Sequence, residues 1–172
     1  MARPYITGRG DKNISTDYSH HENHGGNMYS SSFNATLASS ATMEVLIVTA
    51  DSDDLAHMVI ETRSSGEANM SVFEGTTVSG AGTALEETNH NRSSSNTAGT
   101  VITHTPTITG DGTELKGLAR HFGSGQQTGG EVRAQDEIVL ASDTIYLIRV
   151  TSEAAANDIT TMLTWYESDD SY

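Results

Sequence analysis

The stretch Ile-Thr-Thr-Met-Leu-Thr-Trp at residues 159–165 decides the fold class. Ile159, Leu163 and Trp165 fall on one face of an extended chain, together with Thr161. Side chains of a β-strand alternate between its two faces, so this segregation is typical of a strand that is buried on one side only. The stretch therefore predicts a half-buried β-strand.

Similar short runs recur along the chain. Residues 101–109 alternate clearly, whereas residues 45–48 and 145–148 are apolar on both faces, as central strands of a sandwich or strands at a protomer interface are. Clusters of Gly, Asn, Asp and Ser separate the runs and predict turns. Strands are predicted at residues 28–36, 43–49, 57–63, 69–74, 100–109, 115–122, 137–140, 144–152 and 158–167. The pattern predicts an all-β fold, an antiparallel β-sandwich.

The chain divides into two predicted parts. Residues 1–28 form an extended N-terminal arm without apolar periodicity, and residues 29–172 form the β-sandwich domain. An arm of this composition can be disordered alone and become ordered against a partner. Residues 76–99 and 123–134 lack strand patterns, so we expect them to be long loops, which commonly form interaction surfaces.

The charge of the chain limits its partners. The sequence has 23 acidic and 9 basic residues, a formal net charge of −14, and no cysteine. The negative electrostatic field of such a chain repels phosphate backbones, so we expect no binding to nucleic acid. No run approaches the roughly 18 consecutive apolar residues that a membrane span needs, so we expect no membrane association.

No catalytic motif is found in the sequence. The nearest match to a nucleophile elbow, Gly123-Ser124-Gly125, has no helical pattern after it. Walker and dinucleotide-binding glycine patterns are also missing from the sequence. We therefore predict that the protein is not an enzyme and uses no cofactor. A hydrolase built on a sandwich scaffold is an alternative without any supporting motif.

Three histidines, His20, His21 and His24, are the best candidates for a metal site. Neutral imidazoles bind zinc and nickel well, but a closed structural site needs four fixed ligands and no further ligand group follows at a motif spacing. His21 and His24 would share a face only in a helix, and the segment does not look helical with Gly25 and Gly26 beside it. We expect a solvated arm whose histidines lie at a subunit contact.

An ordered series of short pieces runs along most of the chain. It begins with Tyr18, His21, His24, Gly25, Gly26 and Tyr29 and continues through residues 72–77, 89–93, 103–106, 146–151 and 163–167. In this order the pieces resemble a family of small tailed-phage proteins that are similar to head decoration, or cement, proteins. The resemblance implies a jelly-roll-like β-sandwich subunit, bound on the outer capsid between capsomers, without catalytic residues.

The resemblance leads to a functional prediction. We expect a decoration protein that binds the major capsid protein on the exterior of the virion, is assembled in the host cytoplasm and stabilises contacts between capsomers. Symmetric placement requires a homo-oligomer, for which we favour a trimer over a dimer. The predicted contact residues lie in the arm, at the start of the sandwich domain and in the first long loop, and are Tyr5, Tyr18, His21, His24, Tyr29, Asn89, Asn91 and Arg92.

The alternative is a receptor- or carbohydrate-binding module of a virion tail or fibre, since such modules have the same β-rich sequence composition. A module of this kind exposes aromatic side chains on its loops, where they stack on sugars. Residues 76–99 and 123–134 contain no Phe, Trp or Tyr. The sequence therefore favours decoration over sugar binding.

Overall fold

Fifteen strands and one α-helix make up the part of the chain that the computed structural model describes, residues 18–123, 130–133 and 137–169. Helix α1 spans Tyr18–Gly25, and a 3-10 turn spans Lys116–Leu118. The strands are β1 (Met28–Leu37), β2 (Thr42–Val48), β3 (Asp54–Ser64), β4 (Ala68–Glu74), β5 (Thr77–Gly80), β6 (Thr83–Ala84), β7 (Thr88–Asn89), β8 (Val101–His104), β9 (Thr107–Gly110), β10 (Thr113–Glu114), β11 (Arg120–Phe122), β12 (Gly130–Arg133), β13 (Ile138–Val139), β14 (Ile145–Ser152) and β15 (Asn157–Asp169). The predicted all-β class is confirmed.

Two antiparallel sheets pack face to face. The first has the order β12-β3-β15-β1-β7, with β13 also paired to β3, and the second has the order β10-β4-β14-β2-β8-β6, with β11 also paired to β4. Along the chain, β1, β2, β3 and β4 alternate between the two sheets, β11 follows β4 in the second sheet, and β12, β14 and β15 alternate again. These eight strands give the orders β1-β15-β3-β12 and β2-β14-β4-β11. Two four-stranded sheets with this connectivity form a jelly roll, which confirms the fold prediction.

Strand β15 lies in the middle of the first sheet, between β1 and β3. Ile159, Leu163 and Trp165 are each 1 % exposed and face the core, as their alternation predicts. The second sheet contributes the opposite side of the core through Met43, Val45, Ile47, Met70, Val72, Tyr146, Ile148 and Val150. Burial of each large apolar side chain stabilises the fold by about 1.5–3 kcal/mol. The strand with the clearest alternation is therefore the centre of the fold.

A ribbon of β5 and β9 forms a separate two-stranded sheet outside the second sheet. On the β4 side, a Cβ atom at Gly112 would collide with the backbone carbonyl of Glu74. On the β8 side, a Cβ atom at Gly82 would collide with the carbonyl of His104. Since β14 and β2 lie between β4 and β8, the ribbon crosses the outer face of this sheet.

The ribbon explains two apolar residues on that outer face. Leu46 of β2 and Leu147 of β14 are register partners, and both point away from the main core, yet each is 0 % exposed. The corresponding face of the first sheet is open around Met162 of β15, which is 39 % exposed. The outer face of the second sheet is therefore covered at Leu46 and Leu147, whereas that of the first sheet is accessible around Met162.

Several predicted boundaries are wrong for local reasons. The predicted strand at residues 100–109 is broken, because Thr105 has a positive φ of 55° and the next residue is Pro106. The two halves, β8 and β9, belong to different sheets. Residues 76–99, expected to be a loop, contain β5, β6 and β7, and residues 123–134 contain β12. Residues 115–122, expected to be a strand, begin with the 3-10 turn.

Helix α1 is a further correction, because the segment with the three histidines was expected not to be helical. Gly26 has a φ of +80°. Its N–H donates to the carbonyl of Asn23 at 3.1 Å, and the N–H of Asn27 donates to the carbonyl of Glu22 at 3.0 Å. This pair of bonds is a Schellman motif, which ends a helix at a glycine. The glycines that argued against a helix mark its end. The predicted division at residue 28 stays a prediction, and residues 1–17 lie outside the described residues.

Candidate functional site

Helix α1 packs on the outer face of the first sheet beside the end of β15. The ring of Tyr18 lies edge-on to the ring of Tyr166, with centroids 5.6 Å apart. Its hydroxyl lies 2.6 Å from Oγ of Ser168. The ring of His57 is stacked on the ring of Tyr166, with centroids 4.6 Å apart. Aromatic pairs of this kind stabilise by about 0.5–1.5 kcal/mol beyond their buried area, so the start of α1 is fixed to the sandwich.

The other end of α1 is held by the loop that follows β7. Nδ2 of Asn91 donates to the carbonyl of His24 at 2.9 Å, and Nδ2 of Asn89 donates to the carbonyl of Gly26 at 2.8 Å. Nδ2 of Asn96 donates to the carbonyl of Gly25, which lies between His24 and Gly26, at 3.4 Å. The last carbonyls of a helix have no partner within the helix, so side-chain amides supply the missing donors. Helix and loop therefore form one surface.

We call α1 together with residues 89–97 the helix–loop surface. It brings together six of the predicted contact residues, Tyr18, His21, His24, Asn89, Asn91 and Arg92. Arg92 is exposed, and its Nη1 donates to the carbonyl of Asn89 at 3.4 Å. Tyr5 lies outside the described residues. Six predicted contact residues from two separate segments of the chain therefore lie on one surface.

Tyr29 differs from the prediction that it contacts a partner. Its side chain belongs to the core at 3 % exposure, with its ring 5.8 Å from the ring of Trp165. Its hydroxyl donates to the carbonyl of Gly26 at 3.3 Å. Burial, with the nearby Glu167 carboxylate, raises the pKa of Tyr29, so the hydroxyl stays neutral. Tyr29 thus supports the end of α1 from beneath and does not present its side chain to a partner.

An acidic cleft of ≈ 550 Å³ opens beside the helix–loop surface. Its lining includes four carboxylates, those of Glu22, Asp54, Glu167 and Asp169. Glu167 accepts backbone N–H bonds from residues 99 and 100, at 2.8 and 2.7 Å. Glu22, buried at 6 % exposure, accepts a bond of 2.9 Å from Nδ2 of Asn27. Glu22 and Glu167 thus tie loops to the sandwich, and the cleft gives this end a negative charge.

The three candidate metal ligands separate into two groups. His20 and His24 lie on the same face of α1, and their Nε2 atoms are 3.1 Å apart. His21 points elsewhere, with Nδ1 3.1 Å from Oε1 of Glu22 and its ring 6.3 Å from that of Tyr18. Within residues 18–123, 130–133 and 137–169, no group of three or more His, Cys, Asp or Glu side chains could hold a metal ion.

Sequence reasoning missed the residues that connect helix and loop. Asn27, Asn96 and Glu167 bridge segments that are far apart in the sequence, and no local motif predicts their partners. The one usable signal was the pair Gly25-Gly26, which is typical of a helix C-terminus. Recognition of that signal would have predicted α1 and the shared face of His20 and His24.

Searches of protein-family models, of curated proteins and of solved structures find no match for this chain. Among the described residues, no helix is long and apolar enough to cross a membrane. The sheet orders and the contacts of α1 define the structural class of the protein as a jelly-roll β-sandwich with a helix–loop surface at one end. The resemblance to head decoration proteins stays a prediction.

Proposed function

We propose that this protein decorates the outer surface of a tailed-virus head, where its jelly-roll domain binds the major capsid protein and ties neighbouring capsomers together. The observation that carries the proposal is the helix–loop surface, which fixes α1 to the sandwich at both of its ends. Jelly rolls are common in viral capsid and lectin domains, so the fold is compatible with this role. The proposal assigns the chain no catalytic activity and no cofactor.

The fixed helix has a consequence for the residues that precede it. Residue 17 joins α1 at Tyr18, whose ring and hydroxyl are both held against β15. A contact segment attached to a rigid element loses less conformational entropy on binding than one attached to a flexible hinge. We therefore assign residues 1–17, including Tyr5, to the capsid contact, together with the helix–loop surface.

The charge of the chain bears on the chemistry of that contact. The net charge of −14 and the carboxylates of the acidic cleft favour a partner surface that is basic or neutral. Attraction between exposed charges weakens with added salt, because the screening length falls to about 8 Å at physiological ionic strength. Decoration by this surface should therefore weaken as the salt concentration is raised if the partner surface is basic.

Several weak contacts suffice for stable decoration. A homo-oligomer placed on a symmetry axis engages one site per subunit, and simultaneous engagement multiplies the affinity of each. We keep the trimer as the favoured oligomer and the dimer as the alternative. The exterior of the virion is the proposed location, with assembly in the host cytoplasm and without nucleic-acid or membrane contacts.

The runner-up function is a receptor- or carbohydrate-binding module on a tail or fibre. Lectins also use jelly rolls, so the fold alone does not separate the two functions. The loop of the helix–loop surface is built from Asn, His, Ser, Thr and Arg and has no Phe, Trp or Tyr ring on which a sugar could stack. Copy number separates the two functions, because decoration requires hundreds of copies per particle and a tail component only a few.

The test uses particles that lack the protein. Virions produced without its gene are mixed with the recombinant full chain or with a variant that lacks residues 1–17, and the bound copies are counted by quantitative mass spectrometry. We expect the full chain to saturate at hundreds of copies and the variant to bind weakly. A deletion of residues 1–28 is unsuitable, because it also removes α1 and Met28 of β1.

A matched control keeps the arm and changes the surface. Asn91→Ala removes the bond to the carbonyl of His24, whereas Asn69→Ala changes an exposed amide on β4 of the other sheet. We expect reduced occupancy for Asn91→Ala and full occupancy for Asn69→Ala. Saturation at a few copies per particle, or equal occupancy by all variants, would contradict the proposal.

A further inference from the structure

We propose that His20 and His24 form a site for one divalent transition-metal ion, such as Zn²⁺, Ni²⁺ or Cu²⁺, on the exposed face of α1. Imidazole nitrogens are suitable ligands for these ions. The site goes beyond the proposed decoration function, because it concerns an ion and can be measured on the isolated protein. It arises from the helix, which brings together two side chains that an extended arm would separate.

The spacing of the two histidines gives them a common face. Residues four positions apart on an α-helix are neighbours on its surface. The Nε2 atoms of His20 and His24 lie 3.1 Å apart, whereas the ring centroids are 4.6 Å apart at an interplanar angle of 80°. Because the nitrogens are closer together than the rings, they face each other. Both nitrogens can therefore bind a single ion.

The distance between the nitrogens also fits the bond lengths of such ions. With metal–nitrogen bonds of about 2.0–2.1 Å, two nitrogens 3.1 Å apart subtend an angle of about 95–102° at the metal. This value lies between the roughly 90° of adjacent octahedral or square-planar ligands and the roughly 109° of tetrahedral ligands. The separation of the two nitrogens is therefore compatible with one ion bound by both, once the rings turn their nitrogens toward it.

The surroundings of the pair favour binding. Both rings are exposed, so an ion reaches them without any opening of the fold. The backbone at His24 is already fixed, because its carbonyl accepts the bond from Asn91. Little ordering of the chain is then needed on binding, which increases affinity. The net charge of −14 also attracts cations.

The site is open and has two protein ligands. His21, the third histidine of the segment, is directed to Glu22 and Tyr18 and is not a ligand. The described part of the chain offers no group of three ligand side chains, so water or a donor from another molecule completes the coordination. Without the ion, the 3.1 Å contact is a hydrogen bond from one ring N–H to the other ring nitrogen.

The test is a metal titration of the full chain. Zn²⁺ and Ni²⁺ are titrated by calorimetry into the wild type, His20→Ala, His24→Ala and His121→Ala, and each protein is passed over immobilised Cu²⁺. His121 is the matched control, because it is an exposed histidine on β11, in the other sheet. Circular dichroism spectra before and after addition of EDTA show whether each variant is folded.

We expect one ion per wild-type chain, reversed by EDTA, and retention on the Cu²⁺ column. Either alanine variant in α1 should bind at least about tenfold more weakly, since a single imidazole has no chelate partner. His121→Ala should bind like the wild type. Wild-type affinity in either α1 variant, or neither heat nor retention for the wild type, would overturn the proposal and would leave capsid decoration untouched.

Discussion

Tyr18 and Tyr166 pack edge to face with ring centroids 5.6 Å apart, and this contact joins α1 to the central strand of the first sheet. The hydroxyl of Tyr18 adds the contact of 2.6 Å with Ser168. The helix is only eight residues long, and isolated helices of this length are not stable in water. Its existence therefore depends on the contacts that it makes with the sandwich and with residues 89–97.

Replacement of Tyr18 should release α1 without unfolding the sandwich. We expect Tyr18→Ala to lower the free energy of unfolding by about 1–2 kcal/mol, since it removes an aromatic pair and buried area. Hydrogen exchange should accelerate at the N–H groups of Gly26 and Asn27, which end the helix, and stay slow in β15. Tyr18→Phe keeps the ring and loses only the hydroxyl contact, at a cost of about 0.5–1.5 kcal/mol. Fast exchange in β15 of Tyr18→Ala would contradict the prediction.

The two outer faces of the sandwich should respond differently to truncation. Leu147→Ala creates a cavity beneath the β5–β9 ribbon and should destabilise the protein by about 2–5 kcal/mol in urea unfolding. Met162→Ala shortens a side chain that is 39 % exposed on the open face, and we expect a change within about 0.5 kcal/mol. Similar effects of the two substitutions would mean that the ribbon does not cover Leu147.

The ribbon attachment should weaken in acid. Arg149 of β14 holds Asp111, in the segment after β9, through two bonds of 2.7 and 2.8 Å, and these bonds lower the pKa of Asp111. A carboxylate whose pKa is lowered by folding stabilises the fold above its unfolded pKa of about 4, and this stabilisation is lost as the pH falls through the lowered value.

The acid prediction is measured by urea unfolding at pH 4.5 and pH 2.5. The side chain of Asp111 is 45 % exposed, so we expect a contribution of at most about 1 kcal/mol. Asp111→Asn should show a smaller loss of stability between the two pH values than the wild type. Asp51→Asn removes a charge from an exposed bend and is the control. We expect it to lose as much stability between the two pH values as the wild type. Equal losses in all three proteins would contradict the role of Asp111.

Tyr146 should make the protein sensitive to alkali. Burial is the main reason that its pKa is raised to about 12; the N–H of Ala141 donates to its hydroxyl, which donates to Glu74. A tyrosine whose pKa is raised by folding stabilises the fold below its unfolded pKa of about 10, and this stabilisation is lost as the pH rises from about 10 to 12. This rise of the pKa corresponds to about 2–3 kcal/mol of stability.

Unfolding of Tyr146→Phe tests this prediction. At pH 7 the variant should be less stable by about 1–3 kcal/mol, because the Ala141 N–H and Glu74 lose their partner. Between pH 10 and 12 its stability should fall less steeply than that of the wild type. A slope identical to that of the wild type would show that Tyr146 does not titrate in this range.

The sequence by itself determined the fold class and the centre of the fold. Ile159, Leu163 and Trp165 face the core because alternation along a strand is a local property. The all-β class and the sandwich followed from the same local pattern, whereas the sheet order decided that residues 45–48 and 145–148 are central. Residues of the helix–loop surface were named from their order in the chain, yet nothing local showed that they meet.

Only the tertiary structure decided what lies outside the two sheets. The histidine segment became a helix because Asn89 and Asn91 cap its end and Tyr166 binds its start. The threonine-rich stretch at residues 101–109 divided between two sheets because the chain turns at Thr105 to cover Leu46 and Leu147. These outcomes depend on partners distant in sequence, and a periodicity of two or four residues carries no information about such partners.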